Sequence, residues 1–130
     1  KIKNNTRPER LKLLGIAIKI IVFVTKHKSA YFTISQVELD SCNYQKGDTE
    51  GFVNYGLSVA GIEMAVLMTE SKKEDMIKMS FRSKGDLAVN LFAKTYFEGG
   101  GHINAAGGKS NKSLQETEAY FLKSLATFLS

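Results

Sequence analysis

Apolar residues recur along this chain at two different spacings, one typical of helices and the other typical of strands. Near the amino end, apolar residues recur at helical spacing at Leu11, Leu14, Ala17 and Ile18. Pro8 stands just before them, and proline is well tolerated in the first turn of a helix. The spacing therefore predicts a first helix that begins near Pro8.

Strand character follows this helix in two short segments. Residues 20–25 and 30–35 are mostly β-branched or aromatic, which favours strands. The polar residues His27, Lys28 and Ser29 separate them and are predicted to form a turn. Residues 36–42 are then predicted to form one or two helical turns.

A hairpin is predicted in the middle of the chain. Residues 62–69 are mostly apolar on both faces, which is typical of an interior strand. After a charged turn, residues 77–83 alternate, with apolar side chains on one face and Ser80 and Arg82 on the other. The two segments are expected to pair through a polar, five-residue loop.

Three positions are candidates for helix caps. Asp48 follows a glycine and is expected to cap a short element around residue 53, with a loop at residues 56–58. Asp86 is expected to cap a helix that reaches residue 97. Ser113 with Glu116 three residues on is the signature of a capping box before a final helix.

These elements predict an α/β fold in a single domain. The chain has 130 residues, of which 43% are hydrophobic and 24% charged, and this size suits one core. We expect a mixed β-sheet of about four to five strands with helices packed on its faces. Residues 1–9 are interpreted as a linker or the end of an interdomain segment, and residues 10–130 as the domain.

Charge and cysteine content narrow the class of protein. The formal net charge of +5 favours anionic partners, although no basic run is long enough for a nucleic-acid tail. The single Cys42 excludes an internal disulfide and fits the cytoplasm. Residues 13–24 are apolar but interrupted by Lys19 and too short to cross a bilayer, so no membrane partner is expected. Because the chain starts at Lys1, we expect it to be part of a longer protein.

The segment Phe97–Gly108 gives the clearest sign of binding chemistry, because it contains five of the 11 glycines. The run Gly99–Gly101 is predicted to form a turn whose successive N–H groups converge on an anion such as phosphate. Residues 102–106 are predicted to start a short helix that faces the same anion, with His102 donating to it. A flexible connection is the alternative explanation of such a run.

Other side chains can join this segment at one anion site. Arg82 lies near a predicted strand end, and a guanidinium can bind phosphate through two parallel hydrogen bonds. Simple solvation is the alternative for an exposed arginine. The predicted substrate-binding residues share the ability to donate hydrogen bonds to phosphate, and they are Arg82, Ser83, Gly99, Gly100, Gly101, His102 and Asn104.

Metal-binding and catalytic residues are not predicted in this chain. His27 and His102 are far apart in the sequence, and the aspartates fall in separate turns or helix starts, so they form no metal-ligand pattern. No nucleophile elbow or P-loop is present. A self-sufficient catalytic site is therefore not expected.

Three motifs carry a resemblance to a known family. Gly99-Gly100-Gly101-His102 followed by Asn104-Ala105-Ala106-Gly107 resembles the signature of the DHH-associated domain, the C-terminal substrate-binding domain of DHH-family phosphoesterases. Residues 47–55 (GDTEGFVNY) and 80–85 (SFRSKG) are similar to the bacterial branch of oligoribonucleases and phosphatases of 3'-phosphoadenosine 5'-phosphate (pAp), which is related to exopolyphosphatases. One departure is Gly56, where relatives often have proline.

The resemblance implies a two-domain hydrolase of which this chain is the substrate-binding half. Such an enzyme holds a pair of manganese ions in an N-terminal DHH domain, whose Asp-His-His motif is not in this sequence. The glycine motif, His102 and Arg82 would hold the phosphates of short single-stranded RNA or pAp against those metals. The resemblance thus implies manganese as a cofactor bound outside this chain, and no hydrolysis by this chain alone.

Two alternatives stay open at this point. Alanyl-tRNA synthetases carry a similar glycine-rich C-terminal domain, so the first alternative is a nucleic-acid-binding accessory domain without hydrolase activity. The second is a purely structural or dimerising domain. The sequence does not choose between oligoribonucleotide, pAp and cyclic dinucleotide, and it leaves homodimer formation open.

Overall fold

The computed structural model describes residues 7–130. Within them the helices and strands follow one another as α1 (Pro8–Ile20), β1 (Val22–Val24), β2 (Ser29–Ile34), α2 (Gln36–Ser41), α3 (Phe52–Leu57), β3 (Met64–Ser71), β4 (Met76–Ser83), α4 (Val89–Tyr96), β5 (Gly100–His102), β6 (Ala105–Ser110) and α5 (Leu114–Phe128). A single 3-10 turn, Thr25–His27, joins β1 to β2. The predicted helix at Pro8, the central hairpin and the final helix are confirmed.

The strands of the described residues form one mixed sheet in the order β1-β2-β3-β4-β6-β5. β2 and β3 run parallel, and every other neighbouring pair is antiparallel. The α/β class is therefore confirmed, with six strands rather than four to five. The additional strands arise because the glycine-rich segment forms β5 and the start of β6.

One face of the sheet, which we call the covered face, carries α4 and α5. Phe81 on β4 packs edge-on against Phe92 of α4, with ring centroids 5.8 Å apart. Phe92 also meets Phe121 of α5 at 6.0 Å. All three rings are fully buried, and with the apolar positions of β3, β4 and β6 they form the larger hydrophobic core.

On the opposite face, α1 and α2 pack over β2 and β3, and α3 packs over β2, β3 and part of β4. Gly56 lies in α3 rather than in the predicted loop, so that expectation is wrong at residues 56 and 57. A Cβ on Gly56 would lie 3.1 Å from the Phe32 ring and 3.3 Å from the Ala65 methyl. Glycine thus lets α3 lie close on β2 and β3, and α3 also approaches β4. No helix of the described chain covers β6 and β5 on this side.

Two predicted caps are wrong and one is confirmed. α3 follows Gly51, and the buried carboxylate of Asp48 instead pairs with the guanidinium of Arg7. α4 has no side-chain cap, so Asp86 does not cap it. Ser113 forms the expected capping box at the start of α5. The role of Asp48 could not be assigned from the sequence because its partner, Arg7, is 41 residues away.

The amino end joins the domain through α1. Residues 1–6 of the predicted linker lie outside the described residues, while Pro8 and Glu9 are the first residues of α1. The Arg10 guanidinium donates to the carbonyl oxygens of Asp48 and Glu50 at 2.7 and 3.0 Å. α1 therefore holds the loop that precedes α3 in place.

Candidate functional site

The uncovered part of the sheet brings several predicted site residues onto one surface. We call this surface the open face. On β4 and β6 its residues alternate with positions that face the core, and on β5 they lie on either side of Gly101. They are Lys78, Ser80, Arg82, Ala105, Gly107, Lys109, Gly100 and His102.

Arg82 and His102 lie in one row across the open face. Arg82 on β4 pairs with Ala105 on β6, and Ala105 pairs with His102 on β5. Directly paired residues of antiparallel strands project on the same side. Two strand spacings separate the Cα atoms of Arg82 and His102 by about 10 Å. Since only the Ala105 methyl group lies between them, both longer side chains can reach a single anion above it.

Arg82 keeps most of its donors available. Its Nη1 donates to the carbonyl oxygen of Phe81 at 2.9 Å, and no salt bridge to a carboxylate of the described residues neutralises it. His102 is exposed at the edge of the sheet. The charge of Arg82 is therefore directed at solvent or at a ligand.

The run Gly99–Gly101 does not form the predicted anion-binding turn. Gly100 and Gly101 belong to β5, and a Cβ on Gly99 would lie 1.9 Å from the carbonyl oxygen of Gly107. Gly101 has φ +149°, and its Cβ would lie 2.6 Å from the Ala105 oxygen. Glycine is required at these two positions because the backbones of β5 and β6 approach closely.

Gly100 differs from its two neighbours. A Cβ there would meet nothing within 4 Å, and the residue is exposed on the open face beside Gly107. The two glycines leave the backbone of the open face bare next to His102. β5 is also an edge strand, and an edge strand presents unpaired N–H groups. An anion can thus approach the backbone here without a converging turn.

The predicted short helix at residues 102–106 is wrong. Ile103 and Asn104 form the two-residue turn between β5 and β6, and Ala105 and Ala106 pair with β4. The pairing explains the difference, because β4 would otherwise expose a row of unpaired backbone groups. The expected helix N-terminus does not exist in this structure.

Ser83 and Asn104 fasten this turn to the rest of the domain. Ser83 is buried on the covered face, where its hydroxyl donates to the Leu87 carbonyl oxygen at 2.6 Å. The Asn104 amide donates to the Ser83 hydroxyl at 3.0 Å and to the Gly85 carbonyl oxygen at 3.2 Å. These hydrogen bonds fix the β5–β6 turn against the end of β4, so Ser83 and the Asn104 amide nitrogen point away from the open face.

Lys78 and Lys109 are open-face residues that the sequence reasoning did not select. Lys78 lies on the same side of β4 as Arg82, so the alternation that placed Arg82 also places Lys78. Lys109 pairs directly with Lys78 across the two strands. This pairing can be identified only when the register of β4 with β6 is known. Lys109 therefore adds a positive charge to the open face, whereas the ammonium group of Lys78 forms a salt bridge with Glu74.

The open face does not fit a manganese ion. His102 is its single side chain of a metal-binding type, and manganese prefers carboxylate, carbonyl and water oxygens as ligands. Across residues 7–130, no group of three or more histidines, cysteines or acids is placed to hold a metal. No helix in that range is long and apolar enough to span a membrane.

Comparisons with known proteins agree with the motifs. The family model of the DHHA1 domain matches residues 29–130. A crystal structure of an exopolyphosphatase-related protein from Bacteroides fragilis is 33% identical and superposes with a TM-score of 0.91, covering 96% of this chain and 36% of that one. The chain thus spans little more than a third of that relative.

A second solved structure is similar in fold alone. It is a pGpG-specific phosphodiesterase of Vibrio cholerae, PggH, at 10% identity and a TM-score of 0.66, with coverage of 95% of this chain and 40% of that one. A search of curated protein sequences gave no significant match. The family match over residues 29–130 decides the assignment: this chain belongs to the DHHA1, or DHH-associated, domain family.

Proposed function

We propose that this chain is the substrate-binding domain of a DHH-family phosphoesterase and holds the phosphate groups of short oligoribonucleotides or pAp on the open face. The main support for this proposal is the cross-strand row of Arg82, Ala105 and His102. In this row two side chains that can donate hydrogen bonds flank the small side chain of Ala105. Membership of the DHHA1 family and the likeness to an exopolyphosphatase-related protein support it.

Each residue has a distinct role in this proposal. Arg82 binds a phosphate through two parallel hydrogen bonds and offsets its charge. His102 donates to another oxygen, and Gly100 lets the anion lie against the backbone. Ser83 and Asn104 act as positioning residues, since their hydrogen bonds hold the turn that carries His102.

The chain has no catalytic residue of its own in this proposal. An N-terminal DHH domain of the same polypeptide binds manganese and supplies the reactive chemistry, and this domain orients the substrate. The isolated chain is therefore inactive, and the whole protein works in the cytoplasm. Hydrolysis of a dinucleotide by the purified, manganese-supplemented chain would contradict this division of labour.

The test uses the full-length protein with Arg82→Ala, Arg82→Lys and the control Lys94→Gln. Losing two charged hydrogen bonds, each worth about 1.5–3 kcal/mol, predicts a rise of at least a hundredfold in KM for a dinucleotide. Arg82→Lys is expected to recover part of this loss, because lysine keeps the charge without the planar fork. Thermal unfolding should be unchanged in all three variants.

Other outcomes would point to the alternatives. Unchanged KM and kcat in Arg82→Ala would leave a structural or dimerising domain. RNA binding by the full-length protein without hydrolysis, together with a synthetase core upstream, would favour an accessory domain like that of alanyl-tRNA synthetases.

A further inference from the structure

The open face extends well beyond the Arg82 row. Ser80 and Lys78 follow Arg82 on the same side of β4, and Lys109 lies beside Lys78 on β6. Four residues of an antiparallel strand span about 14 Å, which is the length of about four stacked nucleotides at 3.4 Å each. A dinucleotide held at Arg82 would not reach Lys78.

A cavity of about 450 Å³ opens where this strip ends, and Lys78 is part of its wall. It lies between α2, the loop that follows α2 and the tip of the β3–β4 hairpin. Its volume is that of a small-molecule site. The lining includes three lysines and one partly exposed aromatic ring, and these are Lys46, Lys73, Lys78 and Tyr44.

The acidic residues of the cavity are already engaged. Glu70 accepts a hydrogen bond from the backbone N–H of Gln36 at 2.8 Å. Glu74 pairs with Lys78 at 2.5 Å. The hydrogen bond from Lys78 lowers the pKa of Glu74, and the nearby charges of Lys78, Lys73 and Lys46 lower it further.

Two cations of the cavity are left without a partner. Lys46 and Lys73 are exposed and form no salt bridge with a carboxylate of residues 7–130. The lining thus carries three positive charges against two negative ones, beside the basic strip of β4 and β6. Such a surface attracts an anion.

We propose that this cavity is a second subsite, which binds a nucleotide further along the strand whose first phosphate lies at Arg82. Lys46 and Lys73 hold a phosphate there, and the ring of Tyr44 stacks on a base. The inference rests on the proposed function and selects oligoribonucleotides of about five or more residues over pAp. The exposed ring favours a nucleotide over an inorganic polyphosphate, because a phosphate chain offers nothing to stack.

The first test compares ligand lengths in the full-length protein, with EDTA present to prevent hydrolysis. The test variant carries both Lys46→Gln and Lys73→Gln. The control variant carries both Lys94→Gln and Lys123→Gln, which replace two exposed lysines on helices of the covered face. We expect the Lys46→Gln, Lys73→Gln variant to bind the heptanucleotide about tenfold more weakly, and the slope of its salt dependence to fall by about 0.7, the value for one phosphate contact on a single strand. Binding of a dinucleotide should change less than twofold.

The outcomes separate this inference from the proposed function. Unchanged heptanucleotide affinity in the Lys46→Gln, Lys73→Gln variant, or an equal loss for the dinucleotide, would overturn the second subsite. Arg82→Ala should weaken the binding of both the heptanucleotide and the dinucleotide, whether or not the second subsite exists. If Arg82→Ala affects neither ligand, the proposed function itself fails.

The second test identifies the ligand by its bases. Tyr44→Ala is expected to weaken heptanucleotide binding about tenfold, whereas Tyr44→Phe keeps the ring and the affinity. A linear polyphosphate of seven phosphates should compete poorly. If it competes as well as the heptanucleotide and Tyr44→Ala has no effect, the assignment to a nucleotide is wrong.

Discussion

The two faces of β4 show how one strand serves stability and binding separately. On the covered face, Met79 and Phe81 are buried beneath α4 and α5. On the open face, Lys78 and Arg82 alternate with them, and Lys78 is exposed while Arg82 is half-buried. The same alternation therefore places the core and the candidate phosphate site only one residue apart.

The difference between the faces has a simple physical cause. Burying an unpaired lysine or arginine costs more than its apolar stem gains, which favours leaving the charged groups of the open face in contact with solvent. The aromatic rings of the covered face gain free energy by leaving water. Substitutions on the covered face should thus change stability, and those on the open face should change binding.

The largest expected effect is on the covered face, in Phe92→Ala. Phe92 is fully buried and contacts Phe81, Phe97 and Phe121. Its truncation should lower the free energy of unfolding by about 3–5 kcal/mol, measured by urea denaturation. The neighbour Leu91, which is 53% exposed, provides the control Leu91→Ala, with an expected change below about 0.5 kcal/mol. Equal losses of unfolding free energy in both variants would contradict the placement of Phe92 in the hydrophobic core.

The next largest effects are expected at two adjacent glycines, where one substitution should change stability and the other should change binding. Gly99→Ala places a methyl group against the backbone of Gly107 and should cost about 1–3 kcal/mol of stability or more. Gly100→Ala adds a methyl group in open space and should leave stability unchanged. It is expected to weaken dinucleotide binding several-fold, because the methyl group lies where the anion would approach. Thermal unfolding and a binding titration measure both effects.

A matched pair of serines sharpens the comparison further. Ser83→Ala removes the hydroxyl that links Leu87 to Asn104 and should destabilise the domain by about 1–2 kcal/mol. Ser80→Ala, on the open face of the same strand, should leave unfolding unchanged. A large stability loss in Ser80→Ala would show that the open face is covered in solution.

The smallest expected effect concerns pH. Burial raises the pKa of Tyr31, and its hydrogen bond to Glu118 on α5 raises it further. Because the unfolded tyrosine then loses its proton first, stability should fall as the pH rises above the ordinary value of 10.0.

Tyr31→Phe removes this contribution and the hydrogen bond, with an expected loss of about 1 kcal/mol at neutral pH. Its unfolding free energy should decline less steeply than that of the wild type in alkaline solution. Tyr55→Phe, at a position 47% exposed, is the control and should follow the wild type. Parallel alkaline curves for Tyr31→Phe and the wild type would contradict the raised pKa.

Local patterns were sufficient for the hairpin, for the first and final helices and for the capping box of Ser113. They failed where a residue's partner is distant in sequence. Asp48 was expected to cap a helix but is held by Arg7, 41 residues away. The glycine segment was expected to turn and start a helix, but the free edge of β4 paired with Ala105 and Ala106 instead.

The sequence by itself determined the α/β class, the two faces of β4 and the family motifs, because these depend on spacing between near neighbours. It also singled out Arg82 and His102. Only the tertiary structure decided that these two residues share one row, that Ser83 and Asn104 support the turn from the other face, and that Lys78 continues the basic surface into a cavity. Strand register and helix coverage fix those relations, and both depend on contacts between segments far apart in the chain.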